Sequence, residues 1–229
     1  MKALASFETL SSIAQSPEQS ERALKGSLSA AWALGDSTKS LRFSKALLER
    51  EDLGLRNKQE ALRVMALVQL GRNNLNPSYQ SFESLIALSE GEWKAEAYYY
   101  QALILQKQNQ YDSSTQKVNQ LIEELPSYQE WKAKALYLMA FNFWKLDDIF
   151  QANYILDFLI KSDFEPELTA KSEALKGEIA EAEAAALARK EALLKEQASP
   201  IVLDADGQLQ LLDLPEEEEP LEELEIIEK

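Results

Sequence analysis

The chain has 229 residues, 45% of them hydrophobic, with seven Gly, seven Pro, no Cys, no His and a formal net charge of −15. Without Cys or His it forms no disulfide, zinc finger or Cys- or His-based catalytic centre; no apolar run approaches the roughly 20 residues that span a bilayer, and no basic stripe marks a nucleic-acid surface. The charge is uneven: residues 198–229 hold eleven acids and one base, −10, which leaves −5 for the other 197 residues.

Two helical runs set the frame. AEAYYYQALILQKQNQY begins at Ala95 and AKALYLMAFNFWKLDDI at Ala133, each two residues after a Trp, Trp93 or Trp131, and each is followed by a shorter second run. A fixed offset between two helical hairpins signals a helical repeat. With Ala95 and Ala133 as place 1, Glu21 and Gln59 also fit, so the starts 21, 59, 95 and 133 lie 38, 36 and 38 residues apart.

In chain order, residues 1–16 read as a half repeat, a second helix without its first. MKALASFETL is not a signal peptide, because Ser, Glu and Thr interrupt its apolar positions; Ala3, Phe7 and Leu10 fit the inward places 20, 24 and 27, an apolar side bearing Phe7 or Leu10 is expected to stay uncovered for want of the missing first helix, and the chain is expected to be a truncated piece of a longer array. Four helix pairs follow, predicted to bury places 4, 8 and 11 of the first helix and 20, 24 and 27 of the second. They give Leu24, Leu28, Ala31, Ser40, Ser44 and Leu47; Leu62, Ala66, Gln69, Ser78, Phe82 and Leu85; Tyr98, Ala102, Leu105, Ser114, Val118 and Leu121; and Leu136, Ala140, Phe143, Ala152, Leu156 and Leu159. Small residues recur at places 8 and 20, where the paired helices must approach closely, and LGDS marks the first turn.

Pro166 and Glu167 suit a helix start, and one helix is expected over 166–197. Its first half is expected to cap the array through Leu168, Ala174 and Leu175, and its Ala-rich second half to project into solvent. Residues 198–229 form an acidic tail, disordered or partner-bound, with a small hairpin possible around Asp206-Gly207. The domain reading is thus an array over 1–165, a capping and projecting helix over 166–197 and a tail over 198–229.

The periodicity, the small residues at places 8 and 20 and Pro126 at place 32 resemble the tetratricopeptide repeat, over about residues 1–165. The Gly that family carries at place 8 is absent, and other helical-hairpin solenoids share the pattern. GEWKAEAYYYQALILQKQNQYDSS, QEWKAKALYLMAFNFWKLDD and the step Phe150-Gln151-Ala152 are similar to the C-terminal repeats of long bacterial envelope proteins of this family. The resemblance implies an all-α fold, a right-handed superhelical array of antiparallel helix pairs. It also implies a non-enzymatic protein-interaction scaffold of the cell envelope or periplasm, the alternatives being a cytoplasmic location and a structural subunit buried in a larger complex. No phosphate loop and no nucleophile–base pair points to catalysis, and neither a cofactor nor a metal is expected.

In that family, places 2, 5, 9, 12 and 13 of the first helices line a concave groove. Carried over, these give Lys25, Arg63, Tyr99 and Tyr137 at place 5, Phe141 at place 9, Trp32 and Trp144 at place 12, and Lys107 and Lys145 at place 13. Aromatic side chains dominate binding energy at interfaces. An aromatic, basic groove is expected to take a protein partner, an acidic-apolar peptide such as the chain's own tail, and no nucleic acid.

Overall fold

The structure, a computed structural model, describes residues 2–162, 164–197, 202–203 and 209–210. It falls into two units, residues 1–179 and 180–229. In the first, α1 (Lys2–Ile13) precedes four helix pairs. These are α2 (Pro17–Ala33) with α3 (Ser37–Leu48), α4 (Leu55–Gly71) with α5 (Leu75–Leu88), α6 (Glu92–Lys107) with α7 (Tyr111–Glu124), and α8 (Gln129–Lys145) with α9 (Ile149–Ser162). A long α10 (Pro166–Gln197) follows. Each helix from α1 to α9 packs on its neighbours in sequence, and α6 also packs on α8. The all-α array of antiparallel pairs is the one expected.

One turn geometry closes every pair. Gly35, Asn73, Asn109 and Asp147 all occupy place 15 with φ of 70°, 59°, 59° and 64°. In each turn this residue's N–H donates to the carbonyl three residues back, at Trp32, Leu70, Gln106 or Trp144, and the next N–H donates to Ala31, Gln69, Leu105 or Phe143. These two bonds satisfy carbonyls that a helix end leaves unpaired, and they require a left-handed residue, which Gly, Asn and Asp supply most readily. Asp36 and Asp148 then cap the next helix, their carboxylates accepting from the Lys39 and Gln151 N–H at 2.9 and 3.0 Å.

Small residues set the approach within each pair. Ser40, Ser78, Ser114 and Ala152, all at place 20, are fully buried. The Ser78 and Ser114 hydroxyls donate to the Ala66 and Ala102 carbonyls at 2.8 Å, binding place 20 to place 8. Phe82, Leu85, Val118, Leu121, Leu156 and Leu159 fill the core behind them. Leu24, Gln69, Leu136 and Phe143, expected inside, are half-buried. Asn142 joins the last two pairs: fully buried, its amide donates to Ser114 Oγ at 2.8 Å, and its carbonyl accepts from the Gln106 amide at 2.8 Å.

The inward face of α1 differs from expectation. Ala3 is exposed, Leu4 is buried, and Phe7 and Leu10 are half-buried. The helix turns this way because Phe7 lies over Gly26 of α2, where a Cβ would come within 2.3 Å of the ring. Glu8 then reaches Lys39 and Arg42 of α3 at 3.1 and 2.9 Å.

At the other end α10 buries Leu168, Ser172, Leu175 and Ile179 at helical spacing, while Ala174, expected to pack, is exposed. Lys176 pairs with Asp157 of α9. In the second unit the helix continues to Gln197 with exposed side chains over 180–195. Val202–Leu203 (β1) pairs antiparallel with Leu209–Gln210 (β2), bracketing Asp206-Gly207. The rest of the expected tail lies outside the described residues.

Candidate functional site

Places 5 and 9 of α6 and places 2 and 5 of α8 project to one side because those two helices pack directly on each other. With the first turns of α10 they bound a cleft of about 480 Å³. Tyr99, Leu103 and Gln106 line it from α6, Lys134, Tyr137 and Leu138 from α8, Glu165 from the residue just before α10, and Glu167, Leu168 and Lys171 from the start of α10. An aromatic ladder backs Tyr99: Phe82 stacks on Tyr100 at 5.2 Å, Tyr100 meets Tyr99 at 5.1 Å, and Tyr99 meets Trp131 at 5.5 Å. Lys134 lies 4.9 Å over the Trp131 ring.

The cleft carries both signs of charge. Lys134 pairs with Glu130 and Lys171 with Glu167, each at 2.6 Å, and both ammonium groups are held above their usual pKa chiefly by these hydrogen bonds. Burial pushes the Tyr99 and Tyr137 phenols up. Both ion pairs join residues four apart, Lys171–Glu167 exposed on both sides and Lys134 half-buried beside an exposed Glu130, and surface pairs of this kind contribute little and exchange readily with water. Either lysine can therefore turn to an incoming carboxylate at small cost.

Of the residues singled out in the sequence, Tyr99 and Tyr137 meet in this cleft. Phe141, Trp144 and Lys145 form a second cluster on α8: the two rings meet edge-on at 5.7 Å, and the Lys145 ammonium sits 3.6 Å from the Trp144 centroid. Lys25 and Trp32 stand on α2, Lys25 beside Glu18, Glu21 and Arg22 and Trp32 41% exposed. Lys107 is exposed at the end of α6. Arg63 is committed elsewhere. Its guanidinium grips the buried Glu96 carboxylate of α6 through two bonds, the Nη2–Oε1 contact being 2.7 Å, and Glu96 holds it above its usual pKa. That charge is neutralised inside the array.

Lys134 and Lys171 were not singled out. Lys134 stands at place 2, a groove place in the resemblance, and was legible there. Lys171 belongs to α10, beyond the repeats, and only the folding back of that helix's first turns brings it to the cleft.

No family model and no curated protein matches the chain. Solved structures do. BtubC (BKLC) from P. vanneervenii superposes with a TM-score of 0.62 at 11% identity, over 93% of this chain and 95% of its own. MamA from Desulfovibrio magneticus RS-1, residues 41 to the end, superposes with a TM-score of 0.55 at 16% identity, over 78% and 97%. MamA is a tetratricopeptide-type protein. The fold is a tetratricopeptide-like solenoid. At these identities the likeness extends to the fold alone. It agrees with the three-residue turns, the period and the small residues at places 8 and 20 described above. Among the described residues no helix is long and apolar enough to cross a membrane.

Proposed function

We propose that the chain is a non-enzymatic protein-interaction scaffold whose cleft between α6, α8 and the start of α10 holds an acidic-apolar peptide segment of a protein partner. The observation that carries this is the convergence of Tyr99, Tyr137 and Leu103 with Lys134 and Lys171 in one cleft. The rings offer flat apolar contact, the type that supplies most interface energy, and the two ammonium groups read carboxylates at the rim. Each such exposed pair contributes at most about 1 kcal/mol, so the tyrosines must supply most of the affinity.

The chain's own residues 213–228, with acids set among Leu214, Leu221, Leu224, Ile226 and Ile227, have the required composition and serve as the test ligand. A fluorescent peptide of this sequence should bind the chain at low salt and weaken as salt rises, because exposed charges are screened beyond about 8 Å at physiological ionic strength. Lys171→Glu, at an exposed position, should weaken it about fivefold. Tyr137→Ala should weaken it tenfold or more. No binding at low salt, or binding indifferent to both substitutions, would overturn the assignment.

The place of action we propose is the bacterial cell envelope, in an assembly with protein partners. Support comes from the resemblance of residues 91–160 to the last repeats of envelope proteins. Fractionation of the native cells with an antibody to the chain tests it; recovery with the cytoplasmic fraction counts against it.

A further inference from the structure

A second surface lies on α9, away from the cleft residues. Phe150, Tyr154 and Phe158 are 77%, 67% and 47% exposed, and Phe164, 41% exposed, meets Phe158 at 6.1 Å. The repeat provides its own control. Places 18, 22 and 26 of the second helix are Thr38, Arg42 and Ala46 in the first pair, Asn76, Gln80 and Ser84 in the second, and Asp112, Gln116 and Gln120 in the third. Apart from the half-buried Ala46, these also face solvent. The fold therefore does not need aromatic rings there, and only α9 carries three.

The pattern along α9 is palindromic. At 100° per residue, Phe150, Phe158 and Lys161 all fall within about 40° of Tyr154 around the helix, and Asp147 stands in the turn that leads into it. Phe150 and Phe158 stand four residues on either side of Tyr154, and Asp147 and Lys161 seven residues on either side. A stripe of this kind is complementary to itself when reversed. Laid antiparallel on the α9 of another copy, it sets Tyr154 on Tyr154 and Phe150 on Phe158 and brings Lys161 to the turn that holds Asp147, in the isologous manner of a two-fold interface. The Asp157–Lys176 pair bounds the stripe toward α10.

We propose that this face of α9 binds a second copy of the chain, forming a two-fold antiparallel dimer. Taking about 200 Å² for a whole aromatic side chain, the four rings expose on the order of 450 Å² per copy, hence roughly 900 Å² per dimer. That is below the roughly 1,200–2,000 Å² of stable interfaces and places the contact among weak, reversible ones.

Sedimentation velocity and light scattering on the full chain, from low micromolar to near-millimolar concentration, read the association. The mass should rise from 25.9 kDa toward twice that value. A graft of the second pair's residues, Phe150→Asn with Tyr154→Gln and Phe158→Ser, should remain monomeric with unchanged helical circular dichroism. Lys161→Glu should weaken the dimer about fivefold. Asp147→Asn keeps a residue that the second and third turns already use at this place. It should weaken the wild-type dimer yet strengthen that of the Lys161→Glu chain, because it removes an attraction in one and a repulsion in the other. A wild-type mass that stays monomeric, or a graft that dimerises as well as the wild type, overturns the proposal. Asp147→Asn acting in the same direction in both chains overturns the antiparallel register. None of these positions lines the peptide cleft, so this test and the peptide test fail independently.

Discussion

Replacing Arg63 with Met removes the cation that faces Glu96 and leaves a carboxylate side chain only 4% exposed without its partner. Breaking a fully buried pair in this way costs about 3–5 kcal/mol, because the remaining charge stays desolvated. The Arg63 side chain is 30% exposed, so water reaches the site and the cost falls to about 2–3 kcal/mol. For a domain of this size that lowers the melting temperature by roughly 5–10 °C. Replacing both partners, Arg63→Met with Glu96→Met, leaves no buried charge and should recover most of the loss. Urea and thermal unfolding followed by circular dichroism on the two single variants and the double variant complete the cycle. Arg63→Met within about 0.5 kcal/mol of the wild type would refute the reasoning and return Arg63 to the role of a free groove cation. A double variant no more stable than the single would do the same.

Two further perturbations follow from the packing. Gly26→Ala would add about 1 kcal/mol of stability at a free helical surface, but here the new Cβ meets the Phe7 ring at 2.3 Å. It should instead loosen α1, seen as faster hydrogen exchange over residues 2–13, and Phe7→Ala should relieve the clash; a simple gain in stability from Gly26→Ala would sink this account of the α1 docking. Alkaline pH should also unfold the array. Tyr98 is pushed up to about 12, first by burial and then by the hydrogen bond its hydroxyl donates to Glu124, and burial raises Tyr79, Tyr99, Tyr100 and Tyr137 as well. These phenols are neutral in the fold at a pH where the unfolded chain has lost the proton. Their contribution is therefore intact below the unfolded value of 10.0 and is lost as pH rises toward about 12. Melting temperature across that window and tyrosinate absorbance check this; a flat profile would contradict it.

The array was legible because its evidence is local and recurs. Leu28, Ala66, Ala102 and Ala140 repeat at place 8, and the hydrophobic spacing between them follows the helical period, so the pairs and their inward faces appear in the sequence. What was not legible depends on contacts between repeats. The spacing of Arg63 marks a groove face, but nothing near it announces that Glu96, 33 residues later, takes its charge. Ala3 and Leu10 fit the frame by counting, yet α1 is rotated by the space over Gly26, a residue on another helix. Ala174 suits an inward face by its apolarity, while the helix turns Ser172 inward and satisfies it locally through the Leu168 carbonyl at 2.8 Å. In the cleft, the tyrosines came from repeat position, whereas Lys171 depended on where a helix outside the repeats begins.

The three-residue turns have a mechanical consequence. Residues 34–36, 72–74, 108–110 and 146–148 join the helices within each pair, always three residues with the same two backbone bonds. The links between pairs are unequal: six residues at 49–54, three at 89–91 and four at 125–128. The array is thus built like a folding rule whose plates are identical and whose joints differ in play. A load that bends it would be taken up first at residues 49–54, where the longest joint leaves the first two pairs the greatest freedom of angle, and last at residues 89–91. The cleft proposed to take the peptide lies between the third and fourth plates, across a short joint further held by Asn142, so bending elsewhere would leave its tyrosines in place.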